Sequence, residues 1–471
     1  MGKKKTVKKT EKKNTKKDLI KDFFYLEQDT KKLTYFEIVT TAFLYVFLSS
    51  FALIVSDKIY ENITATKLYA LISMFGIWFI LMCVGLLEKI RSKKVNAEYF
   101  KQAVKNLSVT DIALIAYTLV AFISAILSEY REVAFIGDKA RNEGFLIQLM
   151  YISMFFMLSR TYVHKLELKI WALASMPVAL IGILQLNGYY AGKFTYDILR
   201  HGRSFLTTLG NIDVVSTYLV TPIMICTVLY CQTKEKFFRL LYIASAGLCF
   251  YLSILIGVDS GFVGMATAIF FMFPFIAKDR LSASRIFHIV ALFLFLIYLE
   301  DQLSKIGTRH FVFFEKPFDD KLFLGAIAAI IISVIIYFAG KVIKTEKKFI
   351  WPVAYFVVAA AGVYFAVKKI LVMPEPTGSS VKLVLYQFGQ ILQGNIQDHY
   401  GSNRIYAWRV IYRFFKEKPI IGHGPDTVRA LWMREEYIYS TKKYRVVFDK
   451  AHSDYLQVLV TTGILGLTSY L

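Results

Sequence analysis

Long apolar runs recur along the chain, near residues 35–55, 67–87, 109–128, 144–159, 168–186, 214–231, 238–256, 261–277, 286–300, 322–340, 350–368 and 455–471. Most come close to the roughly 20 residues that a helix needs to cross a hydrocarbon core about 30 Å thick. Polar segments rich in charge, glycine or proline separate them. Since only helices and closed barrels satisfy every backbone group inside lipid, the pattern predicts an all-α polytopic membrane protein with about twelve transmembrane helices. The domain plan follows: a polar tail over 1–34, helices 1–11 over 35–368, a long loop over 369–453 and a last helix over 454–471. That last run stops without a polar tail, as expected of a chain that continues further.

The loop begins with a breaker cluster, Pro374, Pro376 and Gly378. Within it, Arg404, Arg409 and Arg413 alternate with Ile405, Trp408, Ile411, Phe414 and Phe415. That spacing predicts an amphipathic helix lying in the membrane interface, aromatics toward the lipid and guanidiniums toward the headgroups. Lys418-Pro419 ends it, and Gly422-His423-Gly424-Pro425 makes a tight turn.

Charge orients the bundle. Of a net +22, the first 32 residues hold twelve lysines against five acidic residues. A lysine-rich tail stays cytoplasmic and touches anionic lipid; without a folded surface or stacking aromatics it does not read as a nucleic-acid site. Strict alternation then leaves 88–108, 160–167, 232–237, 278–285 and 341–349 inside. It sends 129–143, 187–213, 301–321 and the long 369–453 loop outside. Residues 1–34 are polar and no small-residue cleavage site follows the first apolar run, which argues against a cleaved signal peptide. Composition agrees with a lipid-solvated chain, at 56% hydrophobic with a mean hydropathy of +0.47. Cys83, Cys226, Cys231 and Cys249 lie in or at the ends of apolar runs without metal-ligand spacing, and read as small hydrophobes.

Phosphate-binding glycine loops, dinucleotide fingerprints and HExxH are missing. An enzyme on the outer face has neither ATP nor nucleotide sugars, so its donor must arrive activated, as a lipid diphosphate does. Such chemistry needs cations for the leaving diphosphate and a base for the incoming hydroxyl. Arg141, in Ala140-Arg141-Asn142-Glu143-Gly144, and Arg404, in Gly401-Ser402-Asn403-Arg404, offer planar forks to phosphate oxygens. His452, in Ala451-His452-Ser453-Asp454-Tyr455, can be neutral at physiological pH and accept a proton. Each also has a structural reading, the arginines as headgroup anchors and the histidine as a helix cap. His423 in its glycine-rich turn reads as structural, and His164 and His288 fall on the inner side. Asp319-Asp320 alone is too few ligands for a cation. Asp259-Ser260-Gly261 either lines a cavity or makes a tight turn.

Taken in order, the motifs resemble the O-antigen ligase and polymerase family of bacterial membrane proteins. Four segments carry the resemblance: Arg141-Asn142-Glu143-Gly144; Thr208-Leu209-Gly210-Asn211; Arg404 to Trp408 with Pro419-Ile420-Ile421-Gly422-His423-Gly424; and His452-Ser453-Asp454-Tyr455-Leu456-Gln457 leading into Thr462-Gly463-Ile464-Leu465-Gly466-Leu467. The last is the most specific, and the similarity spans roughly 110–471. The resemblance implies a membrane glycosyltransferase fold of the C-like type, in the plasma membrane. It would move a glycan from an undecaprenyl-diphosphate carrier to an acceptor hydroxyl of a glycan, lipid or protein outside the cytoplasm, with no cofactor and no metal. It makes His452 the base and Arg404 the loop arginine, with Arg141 as a second phosphate contact. Many members carry Ser-Arg-Gly where this chain has Asp259-Ser260-Gly261, so either Arg203 or Arg141 supplies that charge or the donor is held differently. The alternatives are a transporter or flippase of lipid-linked glycan, or an assembly scaffold. A transporter is expected to place ionisable groups near the midplane and to repeat its halves, and neither pattern is seen here.

Overall fold

The computed structural model describes residues 33–92, 97–139, 141–162, 166–189, 204–277, 279–306, 319–342, 350–376 and 380–471. It is an all-α bundle. The helices are α1 (Tyr35–Ser50), α2 (Ile63–Arg91), α3 (Ala97–Lys105), α4 (Val109–Ile126), α5 (Arg131–Ile136), α6 (Phe145–Thr161) and α7 (Glu167–Leu186). After a two-stranded hairpin, Phe205–Leu206 with Gly210–Asn211, come α8 (Ile212–Gln232), α9 (Lys236–Ile256), α10 (Asp259–Ile276), α11 (Arg280–Ile306), α12 (Asp319–Val342) and α13 (Ile350–Leu371). The long loop folds into α14 (Ser380–Leu392), α15 (Tyr400–Glu417), α16 (Val428–Glu435) and α17 (Tyr437–Tyr444), and α18 (Asp454–Tyr470) closes the chain. Every predicted apolar run is helical. Nine helices among the described residues are long and apolar enough to cross a membrane, and the chain is an integral membrane protein.

Helix starts follow local chemistry. Thr34 and Glu37 form a reciprocal capping box on α1, and Ser108 with Asp111 repeats it on α4, satisfying backbone N–H groups that a helix leaves open. The core lies between α7, α8, α9 and α11, where Ala172, Ala179, Leu219, Ala246, Cys249 and Leu252 are fully buried. Small residues let these backbones approach, and hydroxyls join them: Ser245 donates to the Ala172 carbonyl at 2.6 Å. Cys226 and Cys249 are buried free thiols within this packing, and Cys231 is buried beside Ile276, Ala277 and Ile286.

Two features were not visible as sequence patterns. The first is the partner of α15. Its apolar face does not meet lipid: Tyr406, Ala407, Val410, Ile411 and Phe414 are buried against Val428, Leu431, Trp432, Phe448, Ala451 and Val460. The loop carries its own apolar partner in α16 and the following turn, so Ile411 and Phe414 of the stripe read as interfacial lie in the core of the loop domain, while Ile405, Trp408 and Phe415 are half-buried.

The second feature is a break in α18. Gly463 has φ +68° and ψ −167°, a conformation available in practice only to glycine. An unbroken helix would join Ile464 N–H to the Val460 carbonyl and Leu465 N–H to that of Thr461. Instead, residues 419–424 insert their own backbone. The Pro419 and Ile420 carbonyls accept from Ile464 and Leu465 at 2.9 and 3.3 Å, while His423 and Gly424 N–H donate to Val460 and Thr461 at 3.0 and 2.9 Å. Ser124 of α4 adds a hydrogen bond to the Thr461 carbonyl at 2.7 Å, and Ser128 one to the His423 carbonyl at 2.5 Å. All four groups released by the break are paired, as an apolar surrounding demands.

The fit leaves no room for side chains. A Cβ at Gly463 would lie 2.2 Å from the Ile420 oxygen, and one at Gly422 (φ +69°) 2.4 Å from the Thr461 carbonyl carbon. Gly463→Ala is therefore expected to cost at least about 2 kcal/mol, read as a lowered unfolding midpoint in detergent. Gly362→Ala, where nothing lies within 4 Å, should be neutral. Equal midpoints for the two variants would refute the seam.

Candidate functional site

Three short segments meet beside that seam: the turn formed by 138–139 and 141–144, the start of α15, and residues 449–457 at the start of α18. Asp426, buried with φ +58°, holds the first. Its Oδ2 accepts from the backbone N–H of Asp138 at 2.8 Å and of Glu143 at 3.0 Å. Burial pushes its carboxyl pKa up, against the pull of those two donors. Arg429 pairs with the Asp138 carboxylate at 2.9 Å. Two ion pairs then clip the first turn to the third: Arg141 Nε to Asp449 Oδ2 at 2.7 Å, and Lys450 Nζ to Glu143 Oε2 at 2.5 Å. Burial acts to raise the Asp449 carboxyl, but the hydrogen bond and charge of Arg141 outweigh it and hold the group below its ordinary range. Only the Nε of Arg141 is spent in this pair, and its terminal nitrogens have no hydrogen-bond partner among the described residues.

Among the described residues the His452 ring has no hydrogen-bond partner, and the residue is held by its neighbours. Trp408 Nε1 of α15 donates to the Ala451 carbonyl at 2.9 Å, and the Ala451 N–H donates to Gln457 Oε1 at 2.9 Å. This bracket fixes His452 at φ +50°, with its ring edge-on to Phe448 at 5.6 Å. The ring stays open to solvent, yet its pKa is lowered. Desolvation by the surrounding protein is the first cause; the charges of Arg404 and Arg141 add to it, and those of Asp449 and Asp213 oppose it. The imidazole is consequently neutral at pH 7 and able to take a proton.

Arg404 follows three consecutive left-handed residues, Gly401, Ser402 and Asn403, at φ +60°, +59° and +66°. A left-handed turn costs non-glycine residues free energy, and it is held by Gln387 Oε1 accepting from Gly401 N–H at 3.1 Å and by the His399 carbonyl accepting from Asn403 N–H at 3.2 Å. Of the arginines spaced along α15, Arg409 is paired with Asp398 at 2.9 Å and Arg413 with Glu436 at 2.6 Å. Arg404 is exposed and has no ion pair among the described residues. Its fork is the one left for a ligand.

The structure thus brings Arg141, Arg404 and His452 together, close enough for both guanidiniums to act on the imidazole. Arg203 and the side chains of Asp319 and Asp320 lie outside the described residues. Asp259 starts α10, where Gly261 packs against Ser216 with no space for a Cβ, so this step is a helix–helix contact. His423 is buried, its Nε2 on the Phe414 carbonyl at 2.8 Å, in keeping with a structural role. Sequence reasoning missed Asp426, Asp449, Lys450 and Asp213. The clearest signal lies in the backbone. Eight non-glycine residues have positive φ among the described residues, and five of them (Asn142, Ser402, Asn403, Asp426 and His452) belong to this site.

Two consequences can be measured. The pH midpoint for diethyl pyrocarbonate labelling of His452, resolved by mass spectrometry, should rise in Arg404→Gln, which removes a neighbouring positive charge. It should fall in Asp449→Asn, which removes a negative one; unmoved midpoints would show that neither charge reaches the ring. Trp408→Phe keeps an aromatic ring but deletes the donor, so amide exchange across 449–457 should quicken about tenfold. Unchanged exchange would deny the bracket.

No curated protein matches the chain. The family model described as O-antigen ligase matches residues 322–471. That segment runs from α12 to the end of α18 and contains Arg404, His452 and both sides of the seam, whereas Arg141 lies outside it. Over this C-terminal segment the chain is similar to the O-antigen ligase family.

Proposed function

We propose that the protein transfers a glycan from an undecaprenyl-diphosphate carrier to an acceptor hydroxyl on the non-cytoplasmic side of the plasma membrane. The family supports an O-antigen ligase or polymerase type of role and a glycosyltransferase-like enzyme. The observation that carries the finer reading is the pairing of a neutral, solvent-open His452 with an unspent Arg404, on a frame that also presents Arg141. In this reaction the acceptor oxygen attacks the anomeric carbon while the bond from that carbon to the diphosphate oxygen breaks. His452 takes the hydroxyl proton. The carrier diphosphate leaves with the bonding electron pair, and Arg404 with the free nitrogens of Arg141 meets its growing charge. No nucleotide sugar is required, because the donor carries its own leaving group. The crowding of these groups at helix ends favours an enzyme over a transporter, whose ionisable site belongs near the midplane.

In the native host, His452→Ala at unchanged protein level is expected to lower surface polymer formation by about 10²–10⁴-fold, the usual contribution of a general base, while lipid-linked precursor accumulates. Arg404→Lys should also be impaired, since a point charge replaces a two-pronged donor. Normal polymer from a normally abundant His452→Ala protein would remove the histidine from the mechanism.

A further inference from the structure

The opposite end of the bundle holds a second concentration of unbalanced charge. Asp213, whose charge reaches His452, sits in the first turn of α8. The other end of that helix, at Gln232, is roughly 30 Å away by helical rise. There Arg285 is 6% exposed. One terminal nitrogen caps α8 by donating to the carbonyls of Cys231 at 2.7 Å and Thr233 at 3.0 Å, but its Nε is buried with no hydrogen-bond partner among the described residues. Arg239 of α9 is near enough for its charge to act on Arg285, and its guanidinium has no bond or ion pair among the described residues. Asp279 is the nearby carboxylate, and it is engaged in starting α11, accepting from Leu281 and Ser282 N–H at 2.9 Å each. The cap explains why Arg285 stands there, but it does not neutralise the charge. A buried guanidinium flanked by a second arginine, with its nearby carboxylate Asp279 also engaged in capping α11, is costly at a membrane boundary.

An apolar groove leads away from these arginines. It lies between α9 and α11, has a volume of about 580 Å³ and starts at Leu240, the residue after Arg239. Helical spacing puts Arg285 on the face of α11 that also carries Leu292, Leu296 and Leu299 of the groove, and on α9 Arg239 lies one turn before the groove-lining Ile243. Gly247 lets the walls approach, a Cβ there lying 3.3 Å from Leu292. From Arg239 to Tyr251 the groove runs about 18 Å, close to one leaflet's half of the hydrocarbon core. The groove ends where the Tyr251 hydroxyl donates to Glu300 at 2.7 Å.

We propose that this end of the bundle binds an anionic glycerophospholipid of the leaflet opposite the candidate site, its phosphate at Arg239 and Arg285 and one acyl chain in the groove. A free phosphate would use the arginines alone; the groove leading away from them assigns the lipid. This does not depend on the glycan-transfer reading.

Purified full-length protein is examined by native mass spectrometry with added phosphatidylglycerol, phosphatidylcholine or inorganic phosphate. Wild-type protein should retain phosphatidylglycerol in preference to phosphatidylcholine. Arg239→Gln, which breaks no contact within the described protein, should retain about five-fold less at an unchanged melting temperature, and Arg239→Lys should recover part of the loss. Undiminished retention by a folded Arg239→Gln protein, or equal retention of the two lipids by wild type, overturns the site. Displacement of phosphatidylglycerol by inorganic phosphate overturns the lipid assignment in favour of a free-anion site.

Discussion

The candidate site rests on four backbone hydrogen bonds exchanged between residues 419–424 and the break at Gly463. In an apolar surrounding an unpaired peptide group costs several kcal/mol, so the last helix cannot open unless something fills the opening. The inserted segment fills it, and in doing so is itself fixed in place. Its continuation carries Asp426, which shapes the turn of Arg141 through two hydrogen bonds. The helix before it is α15, which presents Arg404 and sends Trp408 to the carbonyl next to His452. One local irregularity thus couples the long loop, the last helix and the turn after α5.

Electrostatics and strain act together at this junction. Crossed ion pairs, Arg141 with Asp449 and Lys450 with Glu143, hold two turns in register and leave the imidazole between charges of both signs. Partly exposed pairs of this kind contribute little stability by themselves, so their effect is mainly to position. Left-handed backbone at Ser402, Asn403 and His452 persists because surrounding hydrogen bonds over-determine it. Such a frame suits a transfer reaction, in which donor and acceptor must be aligned before charge develops.

Much of this was legible in the sequence, for specific reasons. Apolar length predicts the nine helices of membrane length among the described residues because the bilayer sets a ruler, and the capping boxes at Thr34 and Ser108 mark starts by local chemistry. Arg141, Arg404 and His452 stood out because ionisable residues at the ends of apolar runs are conspicuous. The partner of the α15 stripe was not legible, since an amphipathic pattern gives the apolar face but not whether lipid or protein covers it. Nor was the break at Gly463: a glycine in an apolar run reads as ordinary helix, and its partner lies some forty residues earlier. Asp426 and Asp449 drew no notice because each is a single acidic residue whose role appears only once distant turns meet.

The most direct test of the account is turnover by the purified protein in liposomes supplied with an undecaprenyl-diphosphate-linked glycan and an acceptor, without nucleotide sugar. The quantity to measure is release of the undecaprenyl diphosphate carrier in step with glycosidic bond formation. One carrier released per glycan transferred is the predicted result. Movement of the intact lipid-linked glycan between leaflets, with no carrier released by folded protein, would contradict it and make the protein a flippase.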